Sequence, residues 1–179
     1  VWVFPPKEFM LSKMREEFSG PKGPPAHEIA EIRENEQVMS KIKSISDRFG
    51  GSADLVLQIV DKEEILFQGL MRVNEDIIMR IEPVTEYSGE RDATLSIELE
   101  FLHSMMESAI KDIEGAHIEG PWWEERREEP FNDAMVGVKI FGKVVFALTN
   151  GDIDIEPDGM LAEVVMSLKD IVGLMQMGG

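Results

Sequence analysis

The stretch that decides the fold is Asp92–Ile113, DATLSIELEFLHSMMESAIKDI. In its first half, single polar residues separate Leu95, Ile97 and Leu99, which is typical of a strand with one covered face and one wet face. From Leu99 onward the apolar residues recur at three- and four-residue steps, as on one face of a helix. The change of period predicts a strand that leads directly into a helix.

Upstream of this stretch, the pattern predicts three more strands, over residues 54–60, 65–73 and 77–81. In the last of them we expect Ile77, Met79 and Ile81 to point inward. The connections are short and polar, which antiparallel pairing allows. A helical stretch from Ala26 to Phe49 precedes the strands, with Asn35 as a candidate internal cap and a glycine pair after its end.

Downstream, the segment Phe131–Thr149 suits either a strand or a helix, and we favour a helix. Ile153 and Ile155 predict a short strand, and Pro157-Asp158-Gly159 opens a last helix with a continuous apolar stripe. The whole order predicts an α+β fold, a mostly antiparallel sheet with helices packed on one face.

Two parts of the chain differ in composition. The composition predicts an N-terminal arm with a Pro/Gly linker over residues 1–25 and a single α+β domain over residues 26–179. In the arm, a helix over Lys7–Phe18 would bring Phe9, Met10, Met14 and Phe18 near one face. Such an arm cannot bury its own apolar face, so we expect it to dock, either on the domain, which we favour, or on a partner.

Composition and charge exclude several classes of function. The chain has 35 acidic and 18 basic residues, a net charge of −17, which repels phosphate backbones and makes nucleic acid a poor partner. No apolar run approaches the roughly 20 residues that cross a bilayer, so we expect no stable membrane insertion. The absence of cysteine excludes disulfides and thiolate chemistry. We expect a cytoplasmic protein.

Catalytic and metal-binding motifs are sparse. Glu100 and His103 have the spacing that di-metal bundles use, but with Glu107 they lie on one helix, and we interpret them as a solvated face. The chain contains no glycine-rich phosphate loop, no Ser/His/Asp order and no zinc-protease helix. We therefore predict a non-catalytic protein without metal or cofactor.

Two segments carry a resemblance to a known family. Asp92–Ile97 with Phe101-Leu102, and Gly151–Glu156 followed by Asp158–Ala162, are similar to segments of the sterol carrier protein two (sterol-transfer) family. The resemblance covers roughly residues 38–173 and leaves the arm outside. It implies a sterol-carrier-like fold with an apolar tunnel between sheet and helices, which takes fatty acyl chains, sterols or similar molecules.

These patterns lead to a ligand hypothesis and an alternative. Flexible thioethers suit a cavity that accepts varied apolar shapes, and the chain has 12 methionines, although methionine at helical spacing is equally consistent with ordinary core. The candidate ligand contacts are apolar: Leu55, Phe67, Met71, Leu102, Met106, Trp122, Trp123, Phe141, Leu161 and Val165. The alternative is an accessory subunit of a larger complex that docks through the N-terminal arm and the Trp122-Trp123 loop.

Overall fold

The computed structural model describes residues 4–85, 89–114 and 133–177. The described helices are α1 Lys7–Glu17, α2 Ala26–Glu34, α3 Glu36–Asp47, α4 Leu99–Glu114, α5 Asp133–Asn150 and α6 Leu161–Met177, and the strands are β1 Ala53–Asp61, β2 Glu64–Asn74, β3 Ile78–Pro83, β4 Ala93–Glu98 and β5 Asp154–Glu156. A short 3₁₀ turn, Asp158–Met160, leads into α6.

The five strands form one sheet in the order β3-β2-β1-β4-β5. Three of the four pairings are antiparallel, and β1 pairs with β4 in parallel. The predicted α+β fold with a mostly antiparallel sheet is therefore confirmed. The strand-to-helix switch is also confirmed, since β4 ends at Glu98 and α4 begins at Leu99.

One face of the sheet meets the helices. The register places Leu55 opposite Met71 and beside Ala93, so that their side chains share this face. The core cluster joins them to side chains from α1, α3, α4, α5 and α6, including the buried Ile110 and Leu168. Burying each such large apolar side chain contributes about 1.5–3 kcal/mol, so this layer holds the fold together.

The opposite face carries a polar ladder. The Gln68 side-chain amide donates to Gln58 Oε1 over 3.0 Å, and the Gln58 amide donates to Ser96 Oγ over 2.7 Å. Val56 and Leu70 lie opposite each other on this same face, yet they are only 0% and 2% exposed. This face of the sheet is therefore covered at Val56 and Leu70, beside the polar ladder.

The helical stretch before the sheet is two helices. Asn35 has extended backbone angles between α2 and α3, and its side-chain oxygen accepts from the backbone N–H groups of Gln37 and Val38, over 3.1 and 3.2 Å. This is an N-cap, so Asn35 begins α3. Downstream, the ambiguous segment is helical, as α5, and the favoured interpretation is confirmed.

The beginning of β3 departs from the predicted alternation. Ile78 has a φ of +68°, a backbone conformation that is uncommon for a β-branched residue and costs on the order of 1–3 kcal/mol. This conformation turns Ile78 into the core at 3% exposure, whereas Ile77 is half-buried. The expectation that Ile77 points into the core was therefore wrong.

The N-terminal segment packs on the rest of the chain. Phe4, Met10 and Leu11 belong to the core cluster, and the Lys22 backbone exchanges hydrogen bonds of 2.7 and 2.8 Å with Ile81 in β3. Phe9, which the stripe placed on the packed face, is 39% exposed, and Leu11 is buried in its place. The division into an arm and a domain remains a prediction.

Candidate functional site

Eight of the ten predicted ligand contacts belong to the apolar layer between the sheet and the helices. In the core cluster, four are buried and four are half-buried against it: Leu55, Met71, Leu102 and Met106, and then Phe67, Phe141, Leu161 and Val165. Trp122 and Trp123 lie outside the described residues. The assignment of all ten to a ligand site remains a prediction.

Methionine is prominent in the same layer. Met10, Met71, Met105 and Met106 are buried in the core cluster, and further methionines are half-buried against it, namely Met14, Met39, Met79, Met160 and Met175. An unbranched thioether changes rotamer at low cost and fills irregular space. The core can therefore rearrange more easily than one built from branched side chains.

Among the predicted contacts, Phe67 also lines a surface groove of about 920 Å³. The β2–β3 pairing ends with Gly69 opposite Pro83, and in the described chain no strand pairs with Ile65–Phe67 on that side. This unpaired end of β2 forms the groove. The described lining residues come from five segments of the chain: Arg15, Phe18, Ser19, Gln58, Glu63, Ile65, Leu66, Phe67, Gln68, Pro83, Val84, Thr85 and Arg91.

Two arginines line this groove. Arg15, on α1, donates through Nη2 to the Leu66 carbonyl, and Arg91 donates through Nη1 to the Thr94 hydroxyl over 3.2 Å. Sequence reasoning missed both, because Arg15 and Arg91 belong to separate predicted segments and neither is part of a motif. Their shared groove could not be found before α1 was seen to pack beside β2.

A second groove, of about 470 Å³, separates α3 from α6 and has a polar lining. Asp170 in its wall accepts from Arg48 Nη2 at 2.7 Å and from Lys41 Nζ at 3.3 Å. Arg48 also donates to the Ser167 hydroxyl over 3.2 Å. These charges compensate one another, so we interpret the groove as a tie between two helices.

His103 has a structural partner. Its Nε2 lies 2.6 Å from the Pro5 carbonyl oxygen, and the Phe4 ring packs edge-on with centroids 5.0 Å apart. Lys111 Nζ lies 3.9 Å from Glu107 Oε1. Within the described residues, no group of three or more His, Asp or Glu side chains could hold a metal ion.

Among the described residues, Asp92, directly before β4, is an acid whose pKa departs from its ordinary value. Burial raises the pKa of Asp92 above its ordinary value; the hydrogen bond from the Asp54 backbone N–H opposes this rise, and the Asp54 charge adds to it. That hydrogen bond measures 2.8 Å to Asp92 Oδ2, and the Asp92 N–H donates back to the Asp54 carbonyl. Asp92 thus links the beginnings of two paired strands.

Comparisons with known proteins give a weak likeness. No family model matches the chain, and no curated protein matches it. One solved structure that matches is described as UbiJ-SCP2 ubiquinone synthesis protein; it is 10% identical, with a TM-score of 0.37, over 98% of this chain and 100% of that chain. The likeness is one of fold alone, and we take nothing about ligands or partners from it. In the described part of the chain, no helix has the length and apolar character to cross a membrane.

Proposed function

We propose that this protein binds an apolar molecule, fatty acyl or sterol-like, between its sheet and its helices, and that it does so without catalysis. The observation that supports this proposal is the methionine content of the core cluster. Met71 from the sheet and Met106 from α4 both belong to the layer in which the ligand would lie. Side chains of this kind can move apart for a guest at a lower cost than branched ones.

Phe67 offers a route into that layer. Its side chain packs against the core cluster and also lines the groove at the end of β2. A rotation of one half-buried ring would therefore connect the groove to the core. The groove volume, about 920 Å³, lies within the usual range of about 300–1,000 Å³ for small-molecule sites.

The test is native mass spectrometry of the full chain after incubation with palmitate or with cholesterol. We expect one bound molecule per chain. Met71→Ile and Met106→Leu, which keep the volume but stiffen the layer, should weaken binding about tenfold and change stability by less than about 1.5 kcal/mol. Met166→Leu is the matched control, because Met166 is 53% exposed on α6. If neither palmitate nor cholesterol forms an adduct, the proposal is refuted.

A further inference from the structure

We propose that the groove at the end of β2 holds the anionic head of the bound molecule, so that the ligand is an amphiphile with one carboxylate or phosphate group. The inference rests on the proposed function and specifies its ligand class. The apolar chain would pass Phe67 into the methionine-rich layer, and the head would stay in the groove.

Arg15 is the first observation. Its hydrogen bond goes to a neutral acceptor, the Leu66 carbonyl, and no described carboxylate forms an ion pair with it. In contrast, Arg48 Nη2 lies 2.7 Å from Asp170 Oδ2, and Arg72 Nε lies 3.5 Å from Asp54 Oδ1. The bond to Leu66 uses one of the five N–H donors of a guanidinium. Arg15 is thus held on the groove wall, and no carboxylate in the described chain pairs with its guanidinium.

The balance of charge is the second observation. The described lining contains two arginines and one acid, Glu63, whereas the whole chain has 35 acidic and 18 basic residues. A protein of net charge −17 repels anions in general, so an anionic head needs a local reversal of sign. The guanidinium fork matches the oxygen pairs of carboxylate and phosphate groups.

The apolar part of the lining is the third observation. Phe18, Ile65, Phe67, Pro83 and Val84 contribute to the same groove, and Ile65 is 51% exposed. A small hydrophilic anion would leave these side chains uncovered, whereas the first carbons of an alkyl chain would cover them. Charge and apolar surface in one groove therefore favour an amphiphile over a free anion.

The experiment compares three ligands of equal chain length by calorimetric titration of the full chain: dodecanoate, dodecyl phosphate and dodecanol. We expect at least one of the two anions to bind about tenfold more tightly than the alcohol, since an anionic head forms an ion pair with a guanidinium and a neutral hydroxyl does not. The comparison between dodecanoate and dodecyl phosphate then identifies which anionic head the groove prefers.

The variants locate the effect. Circular dichroism first reports that each variant is folded. Arg15→Gln and Arg91→Gln should then lower the affinity for dodecanol only slightly and remove most of the preference for the anion. Arg15→Lys should retain part of the preference for the anion. Lys13→Gln is the matched control, since it removes one charge from the same helix outside the groove lining.

Three outcomes of these titrations would contradict the proposal, each in a different part. Equal affinities for the three ligands would overturn the inference and leave the proposed function standing. A preference that survives both Arg15→Gln and Arg91→Gln would overturn the assignment to this groove. Failure of all three ligands to bind would overturn the inference, and the mass spectrometry with palmitate and cholesterol then decides separately whether the proposed function stands.

Discussion

Phe18, directly after the end of α1, lies with its ring centroid 6.3 Å from that of Phe67 in β2, and the two rings are tilted by 49°. The contact joins the N-terminal segment to the sheet at the place where the groove meets the core. Both rings line the groove. The N-terminal segment is therefore part of the wall of the candidate site.

Removal of the Met10 side chain should destabilise the whole protein. Met10 is 1% exposed in the core cluster, so Met10→Ala should lower the free energy of unfolding by about 3 kcal/mol through lost burial and a residual cavity. Met166→Ala makes the same change at an exposed position and should cost within about 0.5 kcal/mol. Urea denaturation measures both. Similar values for the two variants would contradict the burial of Met10 in the core.

Loss of the Asn35 cap should weaken α3. Asn35→Ala leaves the N–H groups of Gln37 and Val38 without their side-chain acceptor, so we expect a loss of about 1 kcal/mol in the free energy of unfolding. Asn35→Asp keeps an acceptor oxygen and should remain close to the parent protein. Chemical denaturation of the two variants provides the check, and equal stability of Ala and Asp would contradict a capping role.

The ion pair between Arg48 and Asp170 should couple α3 to α6. Their side chains are 22% and 19% exposed, so a double-mutant cycle with Arg48→Gln and Asp170→Asn should give a coupling energy of about 1 kcal/mol. The pair Lys43–Asp47 is the control, because it is 60% and 57% exposed within one helix. Its coupling should be smaller, because solvent screens both exposed side chains. Equal couplings would show that partial burial adds nothing here.

The raised pKa of Asp92 gives a pH dependence of defined sign. A folded-state pKa above the ordinary value of an aspartate means that the folded protein holds the Asp92 proton more tightly than the unfolded chain. The contribution of Asp92 to stability is therefore present below the unfolded pKa and is lost as the pH rises through the folded pKa.

Asp92→Asn removes this titration. Its free energy of unfolding, measured from about pH 3 to about pH 7, should gain on that of the parent protein as the pH rises. Asp152→Asn replaces an exposed acid after α5 and is the control for the loss of one negative charge. A difference between Asp92→Asn and the parent that stays constant with pH would contradict the assignment.

Local patterns in the sequence predicted much of the fold. The alternation around Leu95 and Ile97, followed by helical spacing from Leu99, predicted the junction between β4 and α4, because side-chain periods of two and 3.6 are properties of neighbouring residues. The local sequence predicted the capping role of Asn35 for the same reason. Ile78 was not, because its left-handed backbone persists only where surrounding packing overcomes the local cost.

Tertiary structure alone decided the candidate site. The parallel pairing of β1 with β4, the bridge between Lys22 and Ile81, and the place of Arg15 beside Leu66 all join residues distant in the chain. Such contacts depend on which surfaces meet once the chain has collapsed. The periodicity of the sequence does not indicate which surfaces these are. The sequence by itself therefore determined the elements and the apolar layer between them, and only packing determined where that layer reaches the surface.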